Sequence, residues 1–304
     1  MDKNRRIRKV SKSQPTVEGA GVHLRRAFGN SHVPAFDPFL LLDDFRADDP
    51  QHYLPGFPWH PHRGIETITY VLRGDVEHGD SMGNRGVIGA GDVQWMTAGS
   101  GIIHQEMPKG DAHGSMWGFQ LWANLPASQK MISPRYREVK ASQIPEVSLP
   151  SKVKIKIICG EVQGVAGPVR DIVSSPEYLD ITLPPRSEYT HRTKPGHTVF
   201  AYVIAGKACF CDEKNPFSYE IDETRYFDLD HGSLITNHEL VLFDDGEQLH
   251  ITAEEEEARF LLISGKPIGE PVAWYGPIVM NTREELRLAF EEYQNGTFIK
   301  TGEA

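Results

Sequence analysis

With 304 residues and a formal net charge of −10, the chain is long enough for about two domains of ordinary size. Charged residues make up 24% and the hydrophobic set 39%, a globular composition that excludes a disordered or fibrous protein. The acidic balance speaks against a protein that coats nucleic acid through its phosphates. No run approaches the roughly 18 unbroken apolar residues of a membrane-spanning helix.

The N-terminal MDKNRRIRKV is basic but has no apolar run behind it, so it does not read as a secretory signal. Its charges suit a first strand or arm, with a nuclear address as the alternative reading. Short runs rich in β-branched and aromatic residues then follow one another between Gly, Pro and Asp. They are Ile65 to Leu72, Gly91 to Met96, Gly118 to Ala123, Val153 to Cys159, Tyr178 to Leu183, Thr198 to Ile204 and Ala258 to Ser264. Runs of that length separated by turn residues predict an all-β sandwich or barrel. A short second helix is expected from Ser128 to Met131. From Glu138 to Ser151 the stretch EVKASQIPEVSLPS is polar, carries two prolines and has linker composition. The expected division is therefore an N-terminal domain over 1–137, a linker over 138–151 and a C-terminal domain over 152–304. The halves echo each other: in HPHRGIETITYVLRGDVEH and in KPGHTVFAYVIAGKACF a histidine-containing turn leads into a strand that ends at Gly74 or Gly206. Near the end, NTREELRLAFEEY has a capping-box pattern at Thr282 and Glu285, with Leu286, Phe290 and Tyr293 at helical spacing, which predicts a helix over about 281–294.

Three cysteines, Cys159, Cys209 and Cys211, are too sparse and too odd in number for a disulfide framework. They fit a reducing compartment, the cytoplasm or the nucleus. Cys209 and Cys211 alternate around Phe210 and read as buried small hydrophobes on one side of a strand.

Two clusters among the 13 histidines carry chemistry. In Trp59-His-Pro-His-Arg-Gly-Ile-Glu66, side chains of an extended chain alternate faces, so His60, His62 and Glu66 would share one face. Pro61 favours an extended conformation there. In Gly101-Ile-Ile-His-Gln-Glu106 the same parity puts His104 and Glu106 together. Each pair alone is a common accident. Two pairs about forty residues apart, each in a strand context beside glycines, are more specific. Three imidazoles and one carboxylate suit iron, zinc, copper, nickel or manganese. A hydrogen-bonded network inside a barrel is the alternative, and Glu66 competes with Glu106 as the carboxylate ligand.

The segments Asp37 to Phe45 (DPFLLLDDF), Phe57 to Thr67 (FPWHPHRGIET), Gly91 to Gly101 (GDVQWMTAGSG), His104 to Pro108 (HQEMP) and Gln120 to Asn124 (QLWAN) together resemble the pirin family of the cupin superfamily. The likeness is near-continuous from about Asp37 to Tyr136. It persists later at Tyr178 to Leu183 and at Gly276 to Thr282 (GPIVMNT). The resemblance implies two face-to-face cupin barrels (double-stranded β-helix, jelly-roll) with a short C-terminal helix. It also implies one metal in the N-terminal barrel, iron(II) by expectation, with zinc, nickel, manganese or copper as alternatives. Carried over residue by residue, the metal ligands are His60, His62, His104 and Glu106. Glu66 becomes a neighbour of the metal that orients an imidazole. The second barrel is expected to hold no metal. His197 precedes a strand there, but no His-x-His follows it, and His238 and Glu239 are adjacent and would diverge. His191, His231 and His250 read as surface or hydrogen-bonded histidines.

Two functions follow from the resemblance. One is a quercetin 2,3-dioxygenase-type enzyme that cleaves a flavonol or similar aromatic enol, with Glu106 as a candidate base. Phe57, Trp59, Trp95, Met96 and Trp117 are then candidates for the wall around a flat substrate, and barrel core is the competing reading for at least half of them. The other is a metal- or redox-sensing regulator that binds a protein partner, with loops around Arg25, Arg26 and Lys109 as its candidate surface. A deep apolar pocket beside the metal would favour the enzyme, and a narrow or flat one the regulator. No phosphate loop, zinc-finger spacing or nucleophile elbow is present, so neither direct nucleic-acid binding nor a membrane partner is expected.

Overall fold

Residues branched at Cβ and aromatic residues fit a pleated, half-buried surface, and every run marked above holds a strand in the computed structural model of the chain, beginning at Val93 rather than Gly91 and at Lys154 rather than Val153 in two of them. The model describes residues 3–211, 218–222 and 234–300. The described residues hold one α-helix, and the helix expected at Ser128 to Met131 is a single 3-10 turn, Ala127–Gln129. Among the described residues no helix is long and apolar enough to cross a membrane.

Two compact units emerge, and neither is contiguous in sequence. One comprises Met1–Gln14 with Gln143–Pro267, the other Pro15–Ser142 with Ile268–Ala304. This corrects the expected boundaries at 137 and 152. The strand Ile7–Lys12 pairs antiparallel with Glu239–Phe243, so the N-terminus belongs to the later unit. The chain after Pro267 belongs to the earlier unit, and with it the helix that was expected to close the C-terminal domain. Linker composition is a local signal, whereas strand pairing is fixed by partners far along the chain.

The unit containing residues 143–267 has an eight-stranded and a four-stranded sheet. Its core is mainly aliphatic, with Ile155, Ile157, Leu179, Ile181, Val199, Val203 and Ile251 fully buried around the aromatic rings of Phe210 and Phe260. The basic N-terminus is anchored by Arg5, whose guanidinium is buried and donates to Thr193 Oγ1 and to the carbonyls of Lys194 and Asp244. His191 lies between the Tyr189 hydroxyl and Glu177, each at 2.8 Å, and His250 is 3.2 Å from Thr190 Oγ1. His238 occupies a turn at φ 71°, outside the strand that begins at Glu239. His231 lies outside the described residues. The strand Lys207–Phe210 ends before Cys211, which has φ 66°, so Cys209 and Cys211 do not share a strand face. Cys209 is only partly buried.

The other unit carries the histidine clusters. Its strands are β1 (Gln14–Glu18), β2 (Val22–Phe28), β3 (Phe39–Ala47), β4 (Phe57–His62), β5 (Ile65–Arg73), β6 (Val76–Asp80), β7 (Arg85–Ile88), β8 (Val93–Thr97), β9 (Ile102–Pro108), β10 (Met116–Asn124), β11 (Arg135–Val139), β12 (Ala273–Tyr275) and β13 (Ile278–Met280), followed by α1 (Arg283–Gln294). A seven-stranded sheet runs β11-β8-β5-β10-β3-β2-β1, and a four-stranded sheet runs β4-β9-β6-β7. Pro61 is tolerated because β4 is an edge strand. The helix starts as its sequence requires: Thr282 Oγ1 accepts from the Glu285 amide, and the Glu285 side chain accepts from the Thr282 amide.

Candidate metal centre

Side-chain alternation decides what enters the barrel. On β5, Ile65, Thr67, Thr69 and Val71 share one face. Ile65 packs with Met96 and Val279, Val71 with Phe45 and Val76, and Thr69 lines a cavity between the sheets. His60 and His62 reach the same interior from β4, and His104 and Glu106 from β9. His104 stands directly opposite His60 in the β4–β9 ladder, and Ile102 opposite His62.

Glu66 does not join them. Between β4 and β5, Gly64 adopts φ 77°, a left-handed conformation open to glycine, and a Cβ there would collide with the Val279 carbonyl. The turn breaks the parity, so Glu66 leaves on the face of β5 opposite Thr69 and accepts from Thr97 Oγ1 at 2.7 Å. The expectation that it neighbours the metal and orients an imidazole is corrected.

One ring nitrogen from each of His60, His62 and His104 lies within 4.8 Å of the other two. His60 Nδ1 is 2.8 Å from the Pro58 carbonyl oxygen and His62 Nδ1 is 3.0 Å from that of Pro277. A carbonyl can only accept, so both Nδ1 atoms carry the proton and both Nε2 atoms present lone pairs. Those two Nε2 atoms face each other at 3.1 Å. Two lone pairs so placed repel unless a cation sits between them. Two ligands at about 2.1 Å and a right angle on one ion are separated by about 3 Å. His104 is buried with neither ring nitrogen hydrogen-bonded, which is costly without a partner. Burial also holds the protonated forms off: His62 is pushed down to about 3, with the neighbouring His60 adding to the effect. His60 and His104 shift downward for the same leading reason. Neutral, convergent and under-satisfied, the three rings fit a divalent transition metal.

Glu106 sits beside this group rather than within it. Its Oε1 is 2.9 Å from Thr69 Oγ1 and its Oε2 accepts from Gln120 Nε2 at 3.1 Å. Burial raises its carboxyl to about 6, against the lowering effect of those two hydrogen bonds. Thr69 and Gln120 belong to a polar belt that single-motif reading missed. Arg26 (β2), Asp43 (β3), Gln120 (β10), Thr69 (β5) and Gln94 (β8) stand directly opposite one another on five adjacent strands. A polar residue at every inward position of one level is a signal visible in the strand alternation.

A cavity of about 580 Å³ opens over His60, His62 and Glu106. Its walls are Leu24, Leu41, Phe45, Phe57, Trp59, Val76, Trp122 and Trp274, and Trp122 stands edge-on to the His62 ring at 5.0 Å. Of the expected wall residues Phe57 and Trp59 line it, while Trp95, Met96 and Trp117 do not. Trp95 and Met96 are buried core, and Trp117 lies under the Arg46 guanidinium, 3.7 Å from its ring centroid.

The sequence profiles described as "Pirin" and "Pirin C-terminal cupin domain" match residues 21–123 and 178–299. A pirin-like protein of Caulobacter vibrioides is 41% identical, over 97% of this chain and 99% of its own. The chain belongs to the pirin family. Pirin-1 of Arabidopsis thaliana is 40% identical over 91% of this chain and 89% of its own. Among solved structures, quercetin 2,3-dioxygenase of Acinetobacter baumannii superposes with a TM-score of 0.84 at 29% identity, covering 97% of this chain and 98% of the other. The two-barrel cupin architecture expected of a pirin is therefore the fold of this chain.

Proposed function

We propose that this pirin-family protein is a metal-dependent dioxygenase that opens the heterocycle of a flavonol or a similar aromatic enol. One observation carries the reading. An aromatic-walled cavity of about 580 Å³ lies directly over the imidazoles, within the roughly 300–1,000 Å³ of small-molecule sites. The Acinetobacter baumannii structure, whose name specifies quercetin, supports it.

A divalent metal, iron(II) in our reading, would be held by His60, His62 and His104 with Glu106 as fourth ligand, and would supply charge withdrawal from a substrate oxygen and the chemistry of dioxygen. The chain's own residues do the rest. The Pro58 and Pro277 carbonyls fix the tautomers of His60 and His62 so that Nε2 faces the cavity. Phe57, Trp59, Trp122 and Trp274 offer faces and edges to a flat ring system. Released from the metal to the position where Thr69 and Gln120 hydrogen-bond it, Glu106 is placed to take the proton of the substrate's enolic hydroxyl. A carboxyl raised to about 6 by burial is a stronger base than an ordinary glutamate and still ionised near neutrality.

Oxygen uptake with carbon monoxide detection, using quercetin and anaerobically iron-loaded protein, tests the proposal beside His60→Ala. Release of carbon monoxide that disappears in the variant is the expected result. No turnover at stoichiometric iron would overturn the enzyme and leave the partner-binding regulator as the surviving function.

A further inference from the structure

The polar belt continues beyond Gln120, away from the histidines, and its far end is charged. Arg26 donates from Nε and Nη2 to the two oxygens of Asp43 at 2.8 and 2.7 Å, and from Nη1 to Glu18 at 2.8 Å. Burial opposes the Arg26 charge, but the hydrogen bonds and charges of Asp43 and Glu18 more than offset it, so the guanidinium stays protonated. All three side chains line the same cavity as His60, His62 and Glu106. Neighbouring strands are about 4.8 Å apart, so Asp43 and Arg26 stand roughly 5 and 10 Å along the belt from Gln120.

A tie between β2 and β3 needs only Arg26 and one carboxylate. Here two carboxylates share one guanidinium. Each offers about four lone-pair sites, and Arg26 fills three of the combined set. The surplus acceptors border the cavity, and the trio carries net negative charge. Such an edge accepts hydrogen bonds from neutral hydroxyl groups and repels anionic substituents.

We propose that Glu18 and Asp43, braced by Arg26, are the specificity-determining edge of the cavity, and that they accept hydrogen bonds from hydroxyls on the ring of a polyphenolic substrate remote from the metal-binding oxygens. This rests on the flavonol-type reading of the site and names the substitution pattern it selects. A pocket built to hydrogen-bond a hydroxyl discriminates strongly against the analogue lacking it.

Quenching of tryptophan fluorescence, with Trp122 and Trp274 as reporters in the wall, would give dissociation constants for three flavonols with two, one or no hydroxyls on the outer ring. The expected order follows hydroxyl count, with a step of about tenfold per hydroxyl for hydrogen bonds to a charged acceptor. Glu18→Ala should collapse that spread toward one, and the half-exposed position makes the variant safe for folding. Asp43→Asn should narrow it while keeping the shape of the side chain. Equal binding of all three by the wild type, or a spread that survives both variants, would overturn the inference and leave ring opening intact where carbon monoxide is released. Failure of the wild type to bind any of the three would overturn both.

Discussion

At the scale of single residues, the histidine site holds groups whose protonation pulls stability in opposite directions. The folded value for His62 is about 3 against an ordinary 6.5. Between those values the unfolded chain binds a proton that the native one does not, so acidification below pH 6.5 destabilises the fold, by about 5 kcal/mol once pH 3 is passed. Glu106 is raised from 4.5 to about 6, so in that window the native state holds the extra proton and acidification stabilises by about 2 kcal/mol. His60 and His104 shift in the same sense as His62, and the histidines win. Urea midpoints of metal-free protein should fall from pH 6.5 downward, and Glu106→Gln should fall more steeply between pH 6 and 4.5 because it lacks the compensating uptake. Parallel pH profiles for variant and wild type would show that Glu106 titrates normally. The convergence of His60, His62 and His104 is legible in the sequence because alternation within a strand is strictly local, whereas alternation alone left Glu66 and Glu106 as competitors and the resemblance chose Glu106. Glu66 was misplaced because one left-handed glycine between it and His62 resets that alternation.

At the scale of elements, the β4–β5 turn is held by a buried arginine that motif reading passed over. Arg63 is 2% exposed and donates to the Ser100 carbonyl at 2.7 Å, to the Phe298 carbonyl at 2.8 Å and to Glu292 at 2.7 Å. It thereby ties the histidine-bearing β4 to the turn before β9 and to α1. Lys130 acts beside it, donating to the carbonyls of Gly64 and Val279 and to Asn124 Oδ1. The partners of Arg63 lie 37 to 235 residues away, which is why its role could not be read from its neighbours in sequence. Arg63→Met keeps most of the volume but strands the Ser100 and Phe298 carbonyls, while Glu292 keeps its ion pair with Lys300. A loss of about 2–4 kcal/mol is expected in denaturant unfolding from the two unsatisfied carbonyls, together with sub-stoichiometric metal uptake by elemental analysis. Full metal loading in a stable Arg63→Met protein would show that the turn holds itself.

At the scale of the whole molecule, the strand runs were legible because composition and alternation are local, whereas the membership of the two ends was not. The helix after Thr282 announces itself by its capping box, yet nothing near it in sequence says that it belongs with residues 15–142. That membership has a consequence for the metal. The Pro277 carbonyl that fixes the His62 tautomer comes from the returning segment, so metal binding should tighten that segment as well as the strands that carry the histidines. A ligand bound only by the native state stabilises by about 2.7 kcal/mol at a hundredfold excess over its dissociation constant. Amide hydrogen exchange read by mass spectrometry, with and without added nickel(II) as a redox-inert probe, should show slowed exchange in β4, β9 and residues 273–280. The aliphatic strands Lys154–Cys159, Glu177–Leu183 and Thr198–Ala205 of the other unit should be unaffected. Protection confined to residues 57–106 would mean that the Pro277 contact is incidental to the site. Equal protection of both units would mean that nickel acts through global stability rather than at the three histidines.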